Sequence, residues 1–160
     1  MTIPVAGEVA PPFALPDASG AVHRLEDQRG RWTVVYFYPK DDTPGCTVEA
    51  CGFRDANSTI AERGADVWGI SPQGAASKRA FVDKFGLDFP LLIDSDHAVA
   101  AAYGSWVEKT NYGKTYMGVA RRTFLVDPEG RIAHVWEKVR PEGHPAEVLA
   151  ALDAAIGSAG

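Results

Sequence analysis

The sequence predicts an α/β protein: a central mixed β-sheet flanked by helices, with a β-hairpin at its N-terminal end. Three observations predict it. Apolar runs rich in β-branched and aromatic residues, Trp32–Tyr38 and Asp66–Ser71, alternate with longer helical segments, as in a parallel sheet with crossover helices. Toward the C-terminus, the runs Arg122–Asp127 and Arg131–Trp136 flank Pro128-Glu-Gly130, which marks an antiparallel hairpin. A last helix, Pro145 to Ile156, places Val148, Leu149, Leu152 and Ile156 on one face, so it has a sheet or helix to cover.

Taken in order, Phe13-Ala-Leu15 and Val22-His-Arg-Leu25 flank the turn residues Asp17–Gly20 and form the N-terminal hairpin. The central strand follows around Val34–Tyr38, and a helix runs from about Pro44 to Arg63, where Gly64 ends it. Asp66–Ser71 is a second buried strand. Ala75–Phe85 is helical, with Ala76, Ala80 and Phe81 on one side, its lysines and Arg79 around the rest, and Gly86 at its close. Leu91–Ile93 is a short strand and Ala98–Tyr103 a short Ala-rich helix. Segment 105–119, with Gly104, Asn111, Gly113 and Gly118 among aromatics, reads as a loop or an irregular hairpin. The first few residues and Gly157–Gly160 are loose ends.

Residues 1–160 are expected to form a single domain, since a chain of this length buries a sizeable core without staples. A net charge of −5 with no basic stripe argues against nucleic acid and anionic membrane surfaces as partners. No apolar run is long enough to span a bilayer. The N-terminus lacks the basic and apolar regions of a secretory signal, so a cytoplasmic location is expected. In that reducing setting two cysteines are catalytic, redox-sensing or inert rather than structural. His23, His97, His134 and His144 are scattered without metal-ligand spacing, and no phosphate-binding glycine loop is present. No metal or organic cofactor is implied.

The most informative stretch is Pro39-Lys-Asp-Asp-Thr43-Pro-Gly-Cys46-Thr-Val-Glu-Ala-Cys51. Thr43 suits a helix N-cap, and Pro44 suits the first helical position because its missing N–H would be orphaned there anyway. Cys46 then falls in the first turn, where free backbone N–H groups and the positive end of the helix dipole favour the nucleophilic thiolate. The other reading is a buried structural thiol. Pro39 shields one side of the turn from water, and the Thr43 hydroxyl, three residues before the cysteine, can lie near the sulfur or a substrate oxygen. Glu49 either orients an arginine or simply occupies a favourable first-turn position. Asp41 and Asp42 read as solvated turn residues rather than acids.

Pro39-x-x-x-Thr43-x-x-Cys46 resembles the active-site motif of the peroxiredoxins, and Thr43–Asp55 resembles their PrxQ, or bacterioferritin comigratory protein, branch. The resemblance continues through Gly7–Phe13, Tyr112–Tyr116, Arg121–Asp127 and Gly143–Leu149. It covers nearly the whole chain in the expected order. It implies a thioredoxin-like fold and a thiol-dependent reduction of hydrogen peroxide and organic hydroperoxides. Cys46 is then the peroxidatic thiol, with Thr43 and Arg121 holding the peroxide. Arg121 is the match to the family's Arg-x-Thr/Ser-Phe context; Arg122, on the opposite face of the same strand, is the fallback, and both could instead be surface arginines. A guanidinium suits the role because it stays protonated and offers several donors in a fixed fork.

Cys51 is either a packing cysteine or, as the resemblance implies, a resolving thiol that attacks the sulfenic acid on Cys46. Five residues apart on a regular helix, the two Cα atoms would be ~8–9 Å apart, beyond the ~7 Å reach of a disulfide. A Cys46–Cys51 bond therefore requires the first turns to unwind, and Gly52 lowers helix propensity there. Thioredoxin or a similar dithiol is the implied reductant, and a monomer is expected. A disulfide oxidoreductase is disfavoured, because the chain has no Cys-x-x-Cys. A redox-responsive binding protein, switched by the same disulfide, remains the alternative to an enzyme.

Overall fold

A computed structural model describes residues 2–159. Its centre is a five-stranded sheet in the order β5-β4-β3-β8-β9. β3, Trp32–Phe37, lies in the middle and is buried along almost its whole length, as its unbroken apolar composition requires. It runs parallel to β4, Ala65–Ser71, which runs parallel to β5, Leu91–Ile93. On its other side it is antiparallel to β8, Arg122–Val126, which pairs with β9, Ile132–Trp136, around an irregularity between Leu125 and Val126. The mixed sheet expected from the alternation of elements is the one observed.

Helices α1, Pro44–Glu62, and α4, His144–Ala159, pack on one face of the sheet, where Val34, Tyr36, Val67 and Leu125 meet Ala50, Phe53, Ile60, Val148 and Leu152. Phe81 of α2, Ala75–Phe85, joins that cluster. The opposite face carries Val35, Phe37, Trp68 and Phe124, covered by Phe13, Leu15 and Leu25 of the N-terminal segment and by Ala100 of α3, Ala98–Ala102. The N-terminal hairpin is β1, Ala14–Pro16, with β2, Val22–Arg24. Gly86 ends α2 in the left-handed conformation, φ 60°, with its N–H donating to the Val82 carbonyl.

The structure corrects the sequence reading in several places. Segment 105–119 contains a regular hairpin, β6, Trp106–Asn111, with β7, Lys114–Val119. Its two-residue turn, Tyr112-Gly113, has both φ values positive, the type I′ geometry that matches strand twist. Residues 157–159 continue α4 rather than forming a tail, while Met1 and Gly160 lie outside the described residues. Lys78 does not sit with the solvated lysines of α2: it is completely buried. Asp41 is also buried, not a solvated turn residue, whereas Asp42 is exposed and pairs with Lys84 at 2.9 Å.

Candidate active site

β3 delivers the chain to the site, and the loop 38–43 carries it into α1. Thr43 is the N-cap by position, with extended backbone, but its hydroxyl makes no capping bond; it donates instead to the Lys40 carbonyl at 2.9 Å. Pro44 opens the helix and the Thr47 N–H donates to the Thr43 carbonyl at 2.8 Å. Cys46 thus lies in the first turn of a 19-residue helix, 1 % exposed and with a free thiol. Pro39 is half-buried, and its carbonyl accepts from Gln73 Nε2 at 3.0 Å.

Arg121, the residue just before β8, reaches back over this turn. Its Nη2 lies 3.3 Å from Cys46 Sγ, and its Nη1 donates to Glu49 Oε1 at 2.7 Å. Gly45 makes room for it: a Cβ there would meet Arg121 Nη2 at 3.1 Å and Pro141 Cγ at 3.5 Å. Burial works against the Arg121 charge, but Glu49 and Cys46 outweigh it and hold its pKa above the ordinary value. Arg122 turns away, donating to the Gly104 and Glu137 carbonyls. Of the two readings for Glu49, the structure has the one in which it pairs with an arginine. The carboxyl is completely buried, and burial raises its pKa to about 7 against the pull of Arg121. Its Oε2 has no hydrogen-bond partner among the described residues.

Cys51 is also free and partly exposed, within the same unbroken helix. Gly52, beside it, has a packing reason to be glycine: a Cβ would come within 2.8 Å of Pro145 Cγ at the start of α4.

Three neighbours of the site escaped the sequence reading. Lys109 on β6 is half-buried, and burial first, then the Arg121 charge, hold its pKa below the ordinary value while Cys46 pulls it up. His144 is buried against the edges of the Phe53 and Trp136 rings, with Nε2 2.8 Å from Thr123 Oγ1, and burial depresses its pKa. Asp41 is tied to Tyr38, Ser77 and Lys78. Only His144 had a local signal, the Gly143–Leu149 stretch that carried part of the resemblance; the other two depend on residues distant in sequence. Among the described residues no group of histidine, cysteine and acidic side chains is placed to hold a metal ion, and no helix is long and apolar enough to cross a membrane.

Chemically, a buried thiol, a guanidinium in contact with it and free N–H groups of a helix start can stabilise a thiolate and an oxyanion departing beside it. Comparison with known proteins agrees. Residues 6–135 match the AhpC/TSA family. The chain is 48% identical over 146 residues to a putative Bcp peroxiredoxin of Coxiella burnetii, covering 91% of this chain and 97% of that one. Among solved structures it resembles a cysteine-to-serine mutant of PrxQ from Xylella fastidiosa, with a TM-score of 0.90, 32% identity and coverage of 98% and 99%. It also resembles the Xanthomonas campestris bacterioferritin comigratory protein, studied for alkyl peroxide reduction in trapped intermediate and ligand complexes, with a TM-score of 0.85, 40% identity and coverage of 89% and 90%. The chain belongs to the AhpC/TSA family, as a peroxiredoxin of the Bcp, or PrxQ, kind, and is a thiol peroxidase with a thioredoxin-like fold.

Proposed function

We propose that Cys46 is the peroxidatic thiol and Cys51 the resolving thiol of this peroxidase. The Cys46 thiolate attacks the terminal oxygen of a hydroperoxide; the S–O bond forms, the O–O bond breaks, and the departing alkoxide or hydroxide takes a proton to leave as alcohol or water. Cys46 is then a sulfenic acid. The Cys51 sulfur attacks it, an S–S bond forms and water leaves. A dithiol donor, thioredoxin or a similar protein, reduces the disulfide and restores both thiols. The observation that carries this reading is the 3.3 Å contact of Arg121 Nη2 with Cys46 Sγ at a helix start.

In this scheme Arg121 holds the thiolate and then the departing oxygen, and Glu49 positions Arg121. Thr43, its hydroxyl turned to Lys40, keeps an oxygen lone pair for a peroxide proton, and Pro39 walls the pocket. The alkyl peroxide reduction studied in the Xanthomonas relative supports organic hydroperoxides as substrates beside hydrogen peroxide. A monomer suffices, since both thiols lie on one helix; the chain acts as one domain, and a reducing cytoplasm suits them.

Peroxide consumption coupled to thioredoxin, its reductase and NADPH tests the scheme on wild type, Cys46→Ser and Cys51→Ser. Cys46→Ser is expected to lose turnover, because a hydroxyl stays protonated and is a far weaker nucleophile. Cys51→Ser is expected to keep the first reaction, lose turnover with thioredoxin and accumulate sulfenic or over-oxidised Cys46 by mass analysis. Wild-type dimers linked through Cys46 would overturn the intramolecular route, and thioredoxin-linked activity in Cys46→Ser would remove Cys46 from the centre.

A further inference from the structure

The loop that leads into Cys46 is held by a buried charge pair. Asp41 accepts from Tyr38 Oη at 2.5 Å and from Ser77 Oγ at 2.7 Å, and Lys78 Nζ lies 3.4 Å from both its carboxylate oxygens. Lys78 also donates to Ser71 Oγ at the end of β4. The side chains of Lys78 and Asp41 are 0% and 2% exposed. Gln73 adds a second tie, accepting from the Asp41 N–H at 3.2 Å and donating to the Pro39 carbonyl at 3.0 Å. The next residue, Asp42, is in the left-handed conformation, φ 56°, uncommon for a non-glycine residue but more accessible to aspartate than to most.

A dry ion pair contributes little to global stability, because desolvation offsets much of its Coulombic gain. What it offers is directional bonding that admits one loop conformation. This loop matters because both cysteines lie on unbroken helix, and a bond between them requires Cys46 to leave its place. The far end of the segment is fixed, with Ala50 and Phe53 fully buried and Phe53 stacked on Tyr36 at 4.8 Å. The freedom to open therefore rests with the loop and the first turn of α1.

We infer that Lys78 is a positioning residue for the peroxidase reaction: through Asp41 it holds loop 39–43 and the first turn of α1 in the form that reacts with peroxide, and so sets how readily Cys46 leaves that form for Cys51. The inference rests on the proposed roles of Cys46 and Cys51. Once sulfenic, Cys46 has two fates. In the open form the Cys51 sulfur displaces water and the disulfide forms. In the closed form a second hydroperoxide oxidises the sulfenic acid to sulfinic acid and is itself reduced to alcohol or water. The ratio of sulfinic acid to disulfide measures the hold.

Asp41→Asn with Lys78→Met removes both charges together at similar volume, and Ser77→Ala removes one bond to Asp41 from an exposed position. Ile132→Ala, in the opposite cluster, serves as a variant destabilised elsewhere. Intact mass at rising peroxide gives the sulfinic fraction, and amide exchange of the reduced protein reports opening at residues 40–46. The double variant is expected to open more often and to lower the sulfinic fraction by about tenfold, the consequence of losing a charge-assisted hydrogen bond. Ser77→Ala should shift both readouts the same way by less, and Ile132→Ala should shift neither. Wild-type exchange and partition in Ser77→Ala and the double variant would overturn the inference, as would an equal shift in Ile132→Ala. Should the double variant not fold, Ser77→Ala decides by itself. The exchange readout needs no peroxide, so it separates failure here from failure of the cysteine assignments, which would appear as wild type forming neither product at Cys46.

Discussion

Replacing Arg121 with alanine tests the centre of the site. The substitution removes the guanidinium whose Nη2 lies 3.3 Å from Cys46 Sγ. Two unit charges about 4 Å apart attract by about 4 kcal/mol at an effective dielectric near 20. Part of that is returned when water enters the vacated space, and buried Glu49, deprived of its cation, takes up a proton. A net loss of roughly 3 kcal/mol corresponds to about a hundredfold slower reaction with peroxide, the size of effect found when one preorganised donor is removed. Stopped-flow measurement of the second-order rate of reduced protein with hydrogen peroxide gives this directly. Arg122→Ala is the matched comparison, because that side chain serves the Gly104 and Glu137 carbonyls and makes no contact with the thiol. It should lose stability more than reactivity. A wild-type rate in Arg121→Ala, or a greater loss of rate in Arg122→Ala at equal folded fraction, would refute the assignment.

Other outcomes follow from the same geometry. Glu49 binds its proton more tightly folded than unfolded, so its contribution costs nothing below about pH 4.5 and grows as pH rises to about 7. Stability should decline across that window, and Glu49→Gln should flatten the decline in melting temperature while keeping an acceptor for Arg121. Gly52→Ala gains about 1 kcal/mol of helix propensity, but the new Cβ would lie 2.8 Å from the rigid Pro145 ring. An overpacking cost of about 1–3 kcal/mol should win, lowering the melting temperature; a stabilised variant would mean that α4 shifts freely. Oxidation should speed amide exchange most over the loop and first turn of α1, at about residues 40–47, and spare the sheet. Unchanged protection there, with the 46–51 disulfide confirmed, would mean that α1 is already open in the reduced protein.

The readable parts of this chain are those whose causes are local. β3 announces itself through seven β-branched or aromatic residues from Trp32 to Tyr38, and the start of α1 through Thr43-Pro44, so the setting of Cys46 follows within a dozen residues. Arg121 was accessible only through its motif, because nothing in an isolated Arg-Arg pair says which one turns back toward a helix 72 residues earlier to meet Glu49. The β6–β7 hairpin was obscured because most of it is exposed, so no apolar alternation marks it, and because its turn asks Tyr112 to adopt a positive φ. Asp41 and Lys78 were misread for a related reason. A charged residue is usually solvated, and the partner that makes burial tolerable lies 37 positions away, beyond the reach of any periodicity.

At Gly52 propensity and packing pull in opposite directions. Its low helix propensity suggested a weak point where α1 would open, and propensity does act in that direction. The structure adds a packing term: at Gly52 the start of α4 lies against α1, with Pro145 occupying the space a Cβ would need. Opening the helix beside Cys51 therefore means separating α1 from the start of α4 as well as breaking helical hydrogen bonds. The two ends of the segment are held by different physics. Before Cys46 the hold is polar and directional, through Asp41, and depends on the charge of Lys78. Beyond Cys51 it is a van der Waals contact between a glycine and a proline ring, indifferent to charge. A pH high enough to discharge Lys78, whose pKa burial lowers to about 8, should consequently act on the loop end, and volume changes on the helix end. In the proposed scheme, a helix closed for reaction and open for resolution is thus tuned at each end without touching either sulfur.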